Sequence, residues 1–196
     1  ETIKIYNSHP LAPALIGTRK NQIVFIATMK SFKHPELFCD IAGNLIDSYY
    51  NFIIIGENYS DLGKAQKLLS FMDENKIMYR GIMELSEVNK LLAETKLFVN
   101  TSSEEGFPNT FIQAWLRGVP VVSLNVDPDN LIREERLGFV CNGDINTAVE
   151  KISYLMENED IWEEYSSRCY TFAINNFDLK KTVKTMIEIF TMEPEG

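Results

Sequence analysis

The chain has 196 residues, of which 45% are hydrophobic and 24% are charged, a composition typical of a globular protein with room for one full hydrophobic core. A formal net charge of −9 argues against a general nucleic-acid or anionic-membrane surface, so a polyanionic ligand would have to be held by local groups. No apolar run approaches the ~18 residues that cross a bilayer, and the three cysteines, without metal or redox spacing, favour a reducing compartment.

Apolar runs and helical segments alternate along most of the chain. Mostly apolar runs predict strands at 23–27, 52–55, 77–79, 96–100, 119–124 and 139–140. Helical periodicity between them predicts helices at 35–47, 62–72, 86–95 and about 109–117, and the remainder is only helical, over roughly 145–157, 160–175 and 178–192. Apolar strands that alternate with helices predict an α/β protein in which a parallel sheet of about six strands lies between two helical layers.

Two lysines, Lys30 and Lys33, lie between the first predicted strand and the helix that begins at Pro35. A lysine just ahead of a helix N-terminus opposes the helix dipole at a cost of a few tenths of a kcal/mol, so the pair suggests an anion that offsets both. The alternative is that both are solvated loop lysines. His34 stands beside Pro35, either as a ligand contact or, more simply, as the residue that enters the helix.

Glu104 and Glu105 follow the fourth predicted strand, at the edge where open parallel sheets bind ligands. A carboxylate there can accept hydrogen bonds from hydroxyls, and Gly106 permits a close approach of the backbone to a ligand. The free N–H groups of the helix that starts near Pro108 and Asn109 can bind an anion. A site that can bind both hydroxyls and a phosphate suits a nucleotide sugar, which carries both groups. The alternative is a solvated acidic loop, or a carboxylate that serves the start of the helix.

The same helix carries further candidates. Thr110 could cap it, and the amide of Gln113, one turn into the helix, could pair with ribose hydroxyls; a partly buried glutamine with backbone partners is the alternative. Phe111 and Trp115 are predicted core residues, and Gly118 is predicted to end the helix.

Asp127 and Asp129 flank Pro128 and look like a carboxylate pair for a divalent metal. Pro128 would splay the two side chains, and no further acid follows until Glu134, so a turn that caps the following segment is favoured. We expect no bound metal and no other cofactor.

Three segments follow one another closely: Glu-Gly-Phe-Pro-Asn-Thr-Phe-Ile-Gln-Ala-Trp at 105–115, Gly-Val-Pro-Val-Val at 118–122 and Ser-Leu-Asn-Val-Asp-Pro-Asp at 123–129. Together they resemble the family-4 retaining glycosyltransferases of the GT-B fold, in the C-terminal domain that binds the nucleotide sugar. The resemblance covers approximately residues 22–176. The family carries a Glu–x7–Glu motif in such a stretch, and a match this long is more specific than a lone short motif.

The resemblance implies a role for each matching residue. Glu105 should hold hydroxyls of the donor sugar, and Lys33 matches the lysine that neutralises the diphosphate. Gln113 takes the place of the second glutamate, which binds the ribose. The backbone from Gly106 to Asn109 should line the sugar and the distal phosphate. The other predicted donor-site positions are Thr28, Lys30, Gly81 and Met83, the last two beside the base, together with Phe107, Pro108 and Thr110.

The chain departs from the family pattern at the phosphate loop. Ala27 and Thr28 replace a glycine and an arginine, and His34 replaces a second glycine. One phosphate-binding cation is therefore missing unless Lys30 supplies it. At Gln113 a hydrogen bond can still form, without the charge-assisted share that a glutamate would give.

The resemblance also implies a domain organisation. Residues 1–21 would be an interdomain linker or arm, residues 22–176 a Rossmann-like nucleotide-sugar-binding domain, and residues 177–196 a C-terminal helix that returns towards a missing N-terminal acceptor-binding domain. We therefore expect one half of a GT-B enzyme, inactive alone, whose full-length form transfers a sugar from a nucleotide diphosphate sugar to a glycan or lipid-linked acceptor in cell-surface polysaccharide biosynthesis.

The expected partners are a nucleotide sugar and the N-terminal domain, with no nucleic acid. The expected location is the cytoplasm, with any contact at the inner face of the membrane made through the missing half. The alternative function is a degenerate, non-catalytic nucleotide-binding module. A related epimerase would need further acids and a histidine, and a dinucleotide oxidoreductase is excluded because no Gly-x-Gly-x-x-Gly follows any strand.

Overall fold

The computed structural model describes residues 5–10, 19–46 and 48–191. Within these ranges the strands are β1 (Lys20–Ile26), β2 (Asn51–Ile55), β3 (Met78–Tyr79), β4 (Thr95–Asn100), β5 (Val121–Ser123) and β6 (Gly138–Val140). The helices are α1 (Pro35–Asn44), α2 (Leu62–Glu74), α3 (Leu85–Glu94), α4 (Asn109–Trp115), α5 (Leu131–Glu134), α6 (Ile145–Glu157), α7 (Glu159–Asn176) and α8 (Leu179–Thr191). Short 3-10 turns, Ser31–Lys33 and Pro128–Asn130, precede α1 and α5.

The sheet has the strand order β3-β2-β1-β4-β5-β6, and every neighbouring pair is parallel. The chain runs outward from β1 to one edge, returns to the centre, and runs outward from β4 to the other edge. The helices that follow β1 and β4 pack on opposite faces of the sheet, and the carboxyl end of the sheet at this point is where doubly wound folds bind ligands. The prediction of a parallel, Rossmann-like sheet of about six strands is confirmed.

Both faces of the sheet are buried. Successive residues of a strand point to opposite sides of the sheet, and in the central strands successive residues are buried in different clusters. Ile23 and Phe25 of β1 pack with α1, α2 and α6, whereas Val24 between them packs with α3, α4 and α7. In β4, Leu97 and Phe98 divide between the two faces in the same way. This two-sided burial is the reason why the strands are apolar at nearly every position.

β5 is shorter than the strand predicted over 119–124. Pro120 has no N–H for the sheet, and the N–H of Val119 bonds back to the carbonyl of Ala114 (3.0 Å). Gly118 has a φ of +62°, and a Cβ there would lie 2.7 Å from the Ser166 hydroxyl, which explains why a glycine ends this turn. The sequence pattern predicted neither the two 3-10 turns nor α5, which are too short to show periodicity.

Residues 5–10 lie against the junction of α7 and α8. The N–H of His9 donates to the carbonyl of Phe177 (3.0 Å), and the Tyr6 ring packs on Phe107 and Phe177 at centroid distances of 5.2 and 5.5 Å. β1 begins at Lys20, so residues 20 and 21 of the predicted arm belong to the sheet. Residues 1–4 and 11–18 of that arm, residue 47 of the predicted first helix, and residues 192–196 lie outside the described residues.

α8 differs from the other long helices because none of its described side chains is buried. Its apolar residues Val183, Ile187 and Phe190 are 45%, 57% and 84% exposed. The helix therefore presents an apolar face that nothing in the described part of the chain covers. Across the described ranges, no helix is long and apolar enough to cross a membrane.

Candidate functional site

The site lies where β1 and β4 pair directly, at the point where the strand order changes direction. Lys33 closes the 3-10 turn after β1, and Glu105 lies in the loop between β4 and α4. In doubly wound sheets, ligands bind in the crevice at this point. The fold thus brings together the two residues to which the sequence assigned the diphosphate and the sugar.

The loops after β1 and β4 are fastened to each other. The buried Thr101 hydroxyl lies 2.8 Å from the backbone oxygens of both Lys33 and His34, to which it donates. The N–H of Ser103 donates to the carbonyl of Phe32 (2.9 Å). The turn that carries Lys33 is therefore held against the end of β4.

Lys33 and Glu105 form an ion pair, with 2.7 Å between Nζ and Oε2. Their side chains are only 17% and 15% exposed, so solvent screens the attraction less than it would at an open surface. The ammonium also lies 5.1 Å from the centre of the Phe32 ring. Inside the crevice, each of the two charges neutralises the other.

The second oxygen of Glu105 is held by two buried neighbours. Asn100 Nδ2 donates to Oε1 (3.0 Å), and Ser102 Oγ donates to the same oxygen (2.7 Å). The sequence analysis assigned neither Asn100 nor Ser102 to the site. A signal was present: Asn100 is the polar residue that directly follows the apolar run of β4, beside the acidic loop.

This arrangement places one ammonium beside one available carboxylate oxygen. Lys33 Nζ can donate to phosphate oxygens, and Glu105 Oε2 can accept from hydroxyls. A ligand that carries both groups could take over the partners that the two side chains now give each other. The chemistry suits recognition of a sugar phosphate more than acid–base catalysis, because the carboxylate already has three donors around it.

The loop after Glu105 is open at one residue and anchored at the next. A Cβ added at Gly106 would meet no atom of the described residues within 4 Å, so these residues leave the space beside this backbone free. Phe107 is anchored by ring contacts with Tyr6 and Phe177, at 5.2 and 5.7 Å. Pro108, which follows, is buried.

Within the part of the chain that the structure describes, no side chain caps the start of α4. Glu105 therefore does not serve the helix start, and Thr110 does not cap it, although both were alternatives in the sequence. Asn109 Oδ1 accepts a hydrogen bond from Asn7 Nδ2 (3.3 Å). Gln113 is half-buried one turn later. The ligand contacts expected of Asn109, Thr110 and Gln113 stay predictions.

The remaining predicted positions lie in loops at the same edge of the sheet. Gly81 and Met83 belong to the loop between β3 and α3. Gly81 has a φ of +64°, and no atom of the residues that the structure describes lies within 4 Å of where its Cβ would be. The Gly81 carbonyl accepts a hydrogen bond from the N–H of Gly56 (2.8 Å). Met83 is half-buried. Thr28 and Lys30 are exposed in the loop after β1. Their contacts with base and phosphate stay predictions.

His34 enters α1 in the left-handed conformation, with φ 48° and ψ 54°. Its Nδ1 lies 2.9 Å from Glu36 Oε1. Left-handed backbone favours glycine, which is the residue that the family resemblance gives at this position. The structure therefore supports the simpler reading, in which His34 is a helix-entry residue.

Asp127 serves the turn before α5. Its Oδ1 accepts from the N–H of Ile132 (2.8 Å) and its Oδ2 pairs with Arg133 (3.0 Å), as the capping interpretation predicted. Among the described residues, no group of three His, Cys, Asp or Glu side chains is placed to hold a metal ion.

The cysteines offer no nucleophile. All three are buried, and burial raises the pKa of Cys39 to about 12 and that of Cys141 to about 11. Burial also raises the pKa of Cys169. Since the thiolate is the reactive form, these thiols remain protonated and inert at neutral pH.

Residues 20–158 match the model of a protein family described as Glycosyl transferases group 1. Over 96% of its length, the chain is 26% identical to the poly(ribitol-phosphate) alpha-N-acetylglucosaminyltransferase of Staphylococcus aureus (strain COL), of which it covers 38%. Over 94% of its length it is 21% identical to the Escherichia coli UDP-Gal:alpha-D-GlcNAc-diphosphoundecaprenol alpha-1,3-galactosyltransferase, of which it covers 49%. The chain thus spans half or less of the length of these two relatives.

Among solved structures, the fold is similar to that of a mutant of S. aureus TarM in complex with Fondaparinux, alpha-GlcNAc-glycerol and UDP. The TM-score is 0.82 at 22% identity, over 97% of this chain and 39% of the other. At that identity, the likeness concerns the fold.

Proposed function

This chain belongs to the group 1 glycosyl transferases, and from that premise we propose that it is the donor-binding half of a retaining glycosyltransferase. Its sheet and helices form a Rossmann-like unit that makes up one half of a GT-B fold. In this proposal, the full-length protein transfers a sugar from a nucleotide diphosphate sugar to a glycan or lipid-linked acceptor of a cell-surface polymer. This chain supplies the donor site.

The observation that carries the proposal is the ion pair between Lys33 and Glu105 at the switch point of the sheet. A lysine is a suitable partner for a diphosphate, and a carboxylate is a suitable acceptor for sugar hydroxyls. In a nucleotide sugar the diphosphate is bonded to the same sugar ring that carries the hydroxyls. Side chains that hold these two groups must lie near each other, as Lys33 and Glu105 do at 2.7 Å.

The proposed chemistry follows from where charge develops. When the bond from the sugar to the diphosphate breaks, negative charge grows on the leaving diphosphate and positive charge on the sugar. Lys33 would stabilise the first and the Glu105 carboxylate would lie beside the second. No permanent protein base stands between the sugar and its leaving group in this proposal.

We propose UDP as the nucleotide. The E. coli relative is named for UDP-Gal, and the similar TarM structure contains UDP. The loop with Gly81 and Met83 would flank the uracil, and Gln113 would bond the ribose. Residues Gly106 to Asn109 would line the sugar and the distal phosphate, where the described part of the chain leaves the space beside Gly106 free.

The acceptor-binding half is proposed to dock on α8. Its apolar residues Val183, Ile187 and Phe190 are at least 45% exposed, and an apolar face of this kind marks an interaction surface. The relatives are about twice as long as this chain or longer, which leaves room for such a second domain. Any contact with the inner face of the membrane would be made by that domain.

The alternative is a degenerate, non-catalytic Rossmann module that has lost its affinity for the phosphates of a nucleotide. It is favoured by the exposed Thr28 in place of the arginine that the family resemblance gives, and by Gln113 in place of a glutamate. It also gains from the neutralisation of Lys33 by Glu105, which a ligand must overcome.

The test is the thermal shift of the chain with millimolar UDP, GDP, ADP and CMP, followed by UDP-N-acetylglucosamine and UDP-galactose. A ligand that binds only the native state increases the free energy of unfolding, by about 2.7 kcal/mol when its concentration is one hundred times its Kd. The melting temperature therefore rises. Lys33→Ala should abolish the shift. Lys90→Ala, an exposed lysine of α3, is the matched control. Lys30→Ala asks whether Lys30 supplies the missing cation.

A shift with UDP that depends on Lys33 and not on Lys90 supports the proposal. An equal shift in Lys33→Ala would remove Lys33 from the diphosphate site. If no nucleotide shifts the wild-type chain, the donor-binding role fails for this chain and the degenerate module is favoured.

A further inference from the structure

Three polar side chains at the end of β4 form a closed triangle of hydrogen bonds. Asn100 Nδ2 donates to Glu105 Oε1 (3.0 Å) and to Ser102 Oγ (3.2 Å). Ser102 in turn donates its own proton to Glu105 Oε1 (2.7 Å). The other end of the Asn100 amide, Oδ1, lies 3.5 Å from Ser123 Oγ on β5. The orientation of the amide follows, because only its nitrogen can donate to a carboxylate.

The fold alone does not call for these side chains. Asn100 and Ser102 are 4% and 0% exposed, and a buried polar group is unfavourable unless its hydrogen bonds are satisfied. An apolar residue of similar size would suit the core at either position. Their bonds converge on one oxygen of a carboxylate that faces the ligand crevice, so the geometry serves Glu105 more than the core.

We propose that Asn100 and Ser102 are positioning residues for donor recognition. They saturate Oε1 of Glu105, so that Oε2 alone faces Lys33 and the ligand. The inference rests on the proposed function and deepens it, because it identifies Oε2 as the Glu105 oxygen that accepts hydrogen bonds from the sugar hydroxyls. A carboxylate without these donors could rotate and share both oxygens with the ammonium of Lys33. Because Asn100 and Ser102 fix its orientation, the Glu105 carboxylate is already directed at a sugar hydroxyl. Its side chain therefore loses less conformational entropy when the ligand binds.

The positioning role makes a selective prediction. Asn100→Ala and Ser102→Ala should weaken the binding of a UDP-sugar about tenfold, because a hydrogen bond made by a charged group is at stake. They should weaken the binding of UDP alone much less, because UDP makes no sugar contact and is affected only through the pairing of Glu105 with Lys33. Titration calorimetry with UDP, UDP-N-acetylglucosamine and UDP-galactose measures both affinities. Ser167→Ala, which truncates an exposed serine of α7, is the matched control and should change neither.

A conservative variant adds a readout that a structural role would not move. In Asn100→Asp the new carboxyl group lies against Glu105, whose other oxygen is paired with Lys33, so at neutral pH it cannot donate and repels. At lower pH a proton shared between the two acids restores a donor. The affinity for the UDP-sugar, relative to wild type at each pH, should therefore recover between about pH 8 and pH 5. The same ratio for Asn100→Ala should stay flat.

Each outcome decides something. Equal loss for UDP and for the UDP-sugar, together with a lower melting temperature, would show that the triangle only stabilises the fold. Unchanged affinity for both ligands in Asn100→Ala and Ser102→Ala would overturn the positioning role while the proposed function stands. If the wild-type chain binds neither UDP nor a UDP-sugar, the proposed function fails, and the positioning role fails with it.

Discussion

The ammonium of Lys33 and the carboxylate of Glu105 are direct partners, with 2.7 Å between Nζ and Oε2. One follows β1 and the other follows β4, and only the pairing of those strands brings them together. A nucleotide sugar that enters the crevice must replace this contact with its own phosphate and hydroxyl groups. In the proposed function the two binding roles would therefore be coupled, because the carboxylate that would hold the sugar would also compete with a phosphate for Lys33.

This coupling predicts that Glu105→Gln affects the affinities for UDP and for a UDP-sugar differently. The neutral amide releases Lys33 and removes a negative charge from beside the diphosphate, so the affinity for UDP should rise severalfold. The affinity for a UDP-sugar should rise less or fall, because the hydroxyls lose a charged acceptor. Titration calorimetry with both ligands gives the ratio.

Glu104→Gln is the matched control for that variant. It makes the same charge change one residue earlier, at an exposed side chain, and should leave both affinities nearly unchanged. Adding Lys33→Ala to Glu105→Gln should cancel the gain for UDP. A gain of the same size in Glu104→Gln would mean that the total charge of the loop matters and the ion pair does not.

Two glycines should respond to alanine in different ways. At Gly106 a Cβ meets none of the described atoms within 4 Å, so Gly106→Ala should change the free energy of unfolding by less than about 0.5 kcal/mol. The added methyl group should obstruct a ligand that approaches the backbone. At Gly56 the φ is +134° and a Cβ would lie 1.8 Å from the carbonyl oxygen of Ala27. Gly56→Ala should therefore cost more than about 2 kcal/mol.

Urea unfolding and UDP-sugar titration together check the glycine prediction. Gly106→Ala should unfold like the wild type and bind the UDP-sugar more weakly. If it binds as tightly as the wild type, the ligand does not approach this backbone and the proposed position of the sugar is wrong.

Gln113→Glu should strengthen nucleotide binding if the side chain reaches the ribose. A carboxylate accepts from the ribose hydroxyls with the charge-assisted strength that the amide lacks, which we expect to increase UDP affinity about fivefold. The increase should be absent with 2′,3′-dideoxy-UDP, which has no ribose hydroxyls to donate. An equal increase for both nucleotides would place Gln113 away from the ribose.

The cap of α6 predicts a pH dependence of stability. The Asp144 carboxylate accepts hydrogen bonds from the Thr147 hydroxyl (2.5 Å) and from the N–H groups of Asn146 and Thr147 (both 3.1 Å). These bonds lower the pKa of Asp144, and the bond from the Thr147 hydroxyl has the largest effect. A lowered pKa in the folded state contributes stability at neutral pH that is lost as pH falls through that pKa. Asp144→Ala should thus be less stable than wild type at pH 7, and the difference should shrink below about pH 4.

Urea unfolding of both proteins across this range measures the difference. Asp144→Asn keeps an N-cap acceptor without the charge and should lie between them. A stability difference that does not change between neutral and acidic pH would contradict the role of the carboxylate charge.

Most of the fold could be predicted because the sequence carries two local patterns, continuous apolar runs in the strands and helical periodicity in the longer helices. Runs such as Phe52 to Ile55 are apolar at every position, which requires burial on both faces and hence a parallel sheet between helices. The longer helices were predicted to within a few residues for the same reason. The short elements were missed because three or four residues carry no periodicity, and β5 was predicted too long because Pro120 and the turn at Gly118 interrupt an otherwise apolar run.

The candidate site was predicted in part. The family resemblance singled out Glu105 and Lys33, and the structure places them in contact. The resemblance gave no indication that Lys33 and Glu105 would pair with each other, nor that Asn100 and Ser102 would hold the carboxylate. Those contacts join residues from separate strands and loops, and no local pattern encodes them.

The sequence by itself determined the class of fold and the chemical identity of the site residues, because burial patterns and side-chain types are local properties. Only the tertiary structure decided which side chains meet. The adjacency of β1 and β4 depends on the order in which strands assemble into the sheet, and that order places an ammonium and a carboxylate 2.7 Å apart. Hydrogen bonds and ion pairs act over a few ångströms, so their partners are fixed only when the sheet has formed.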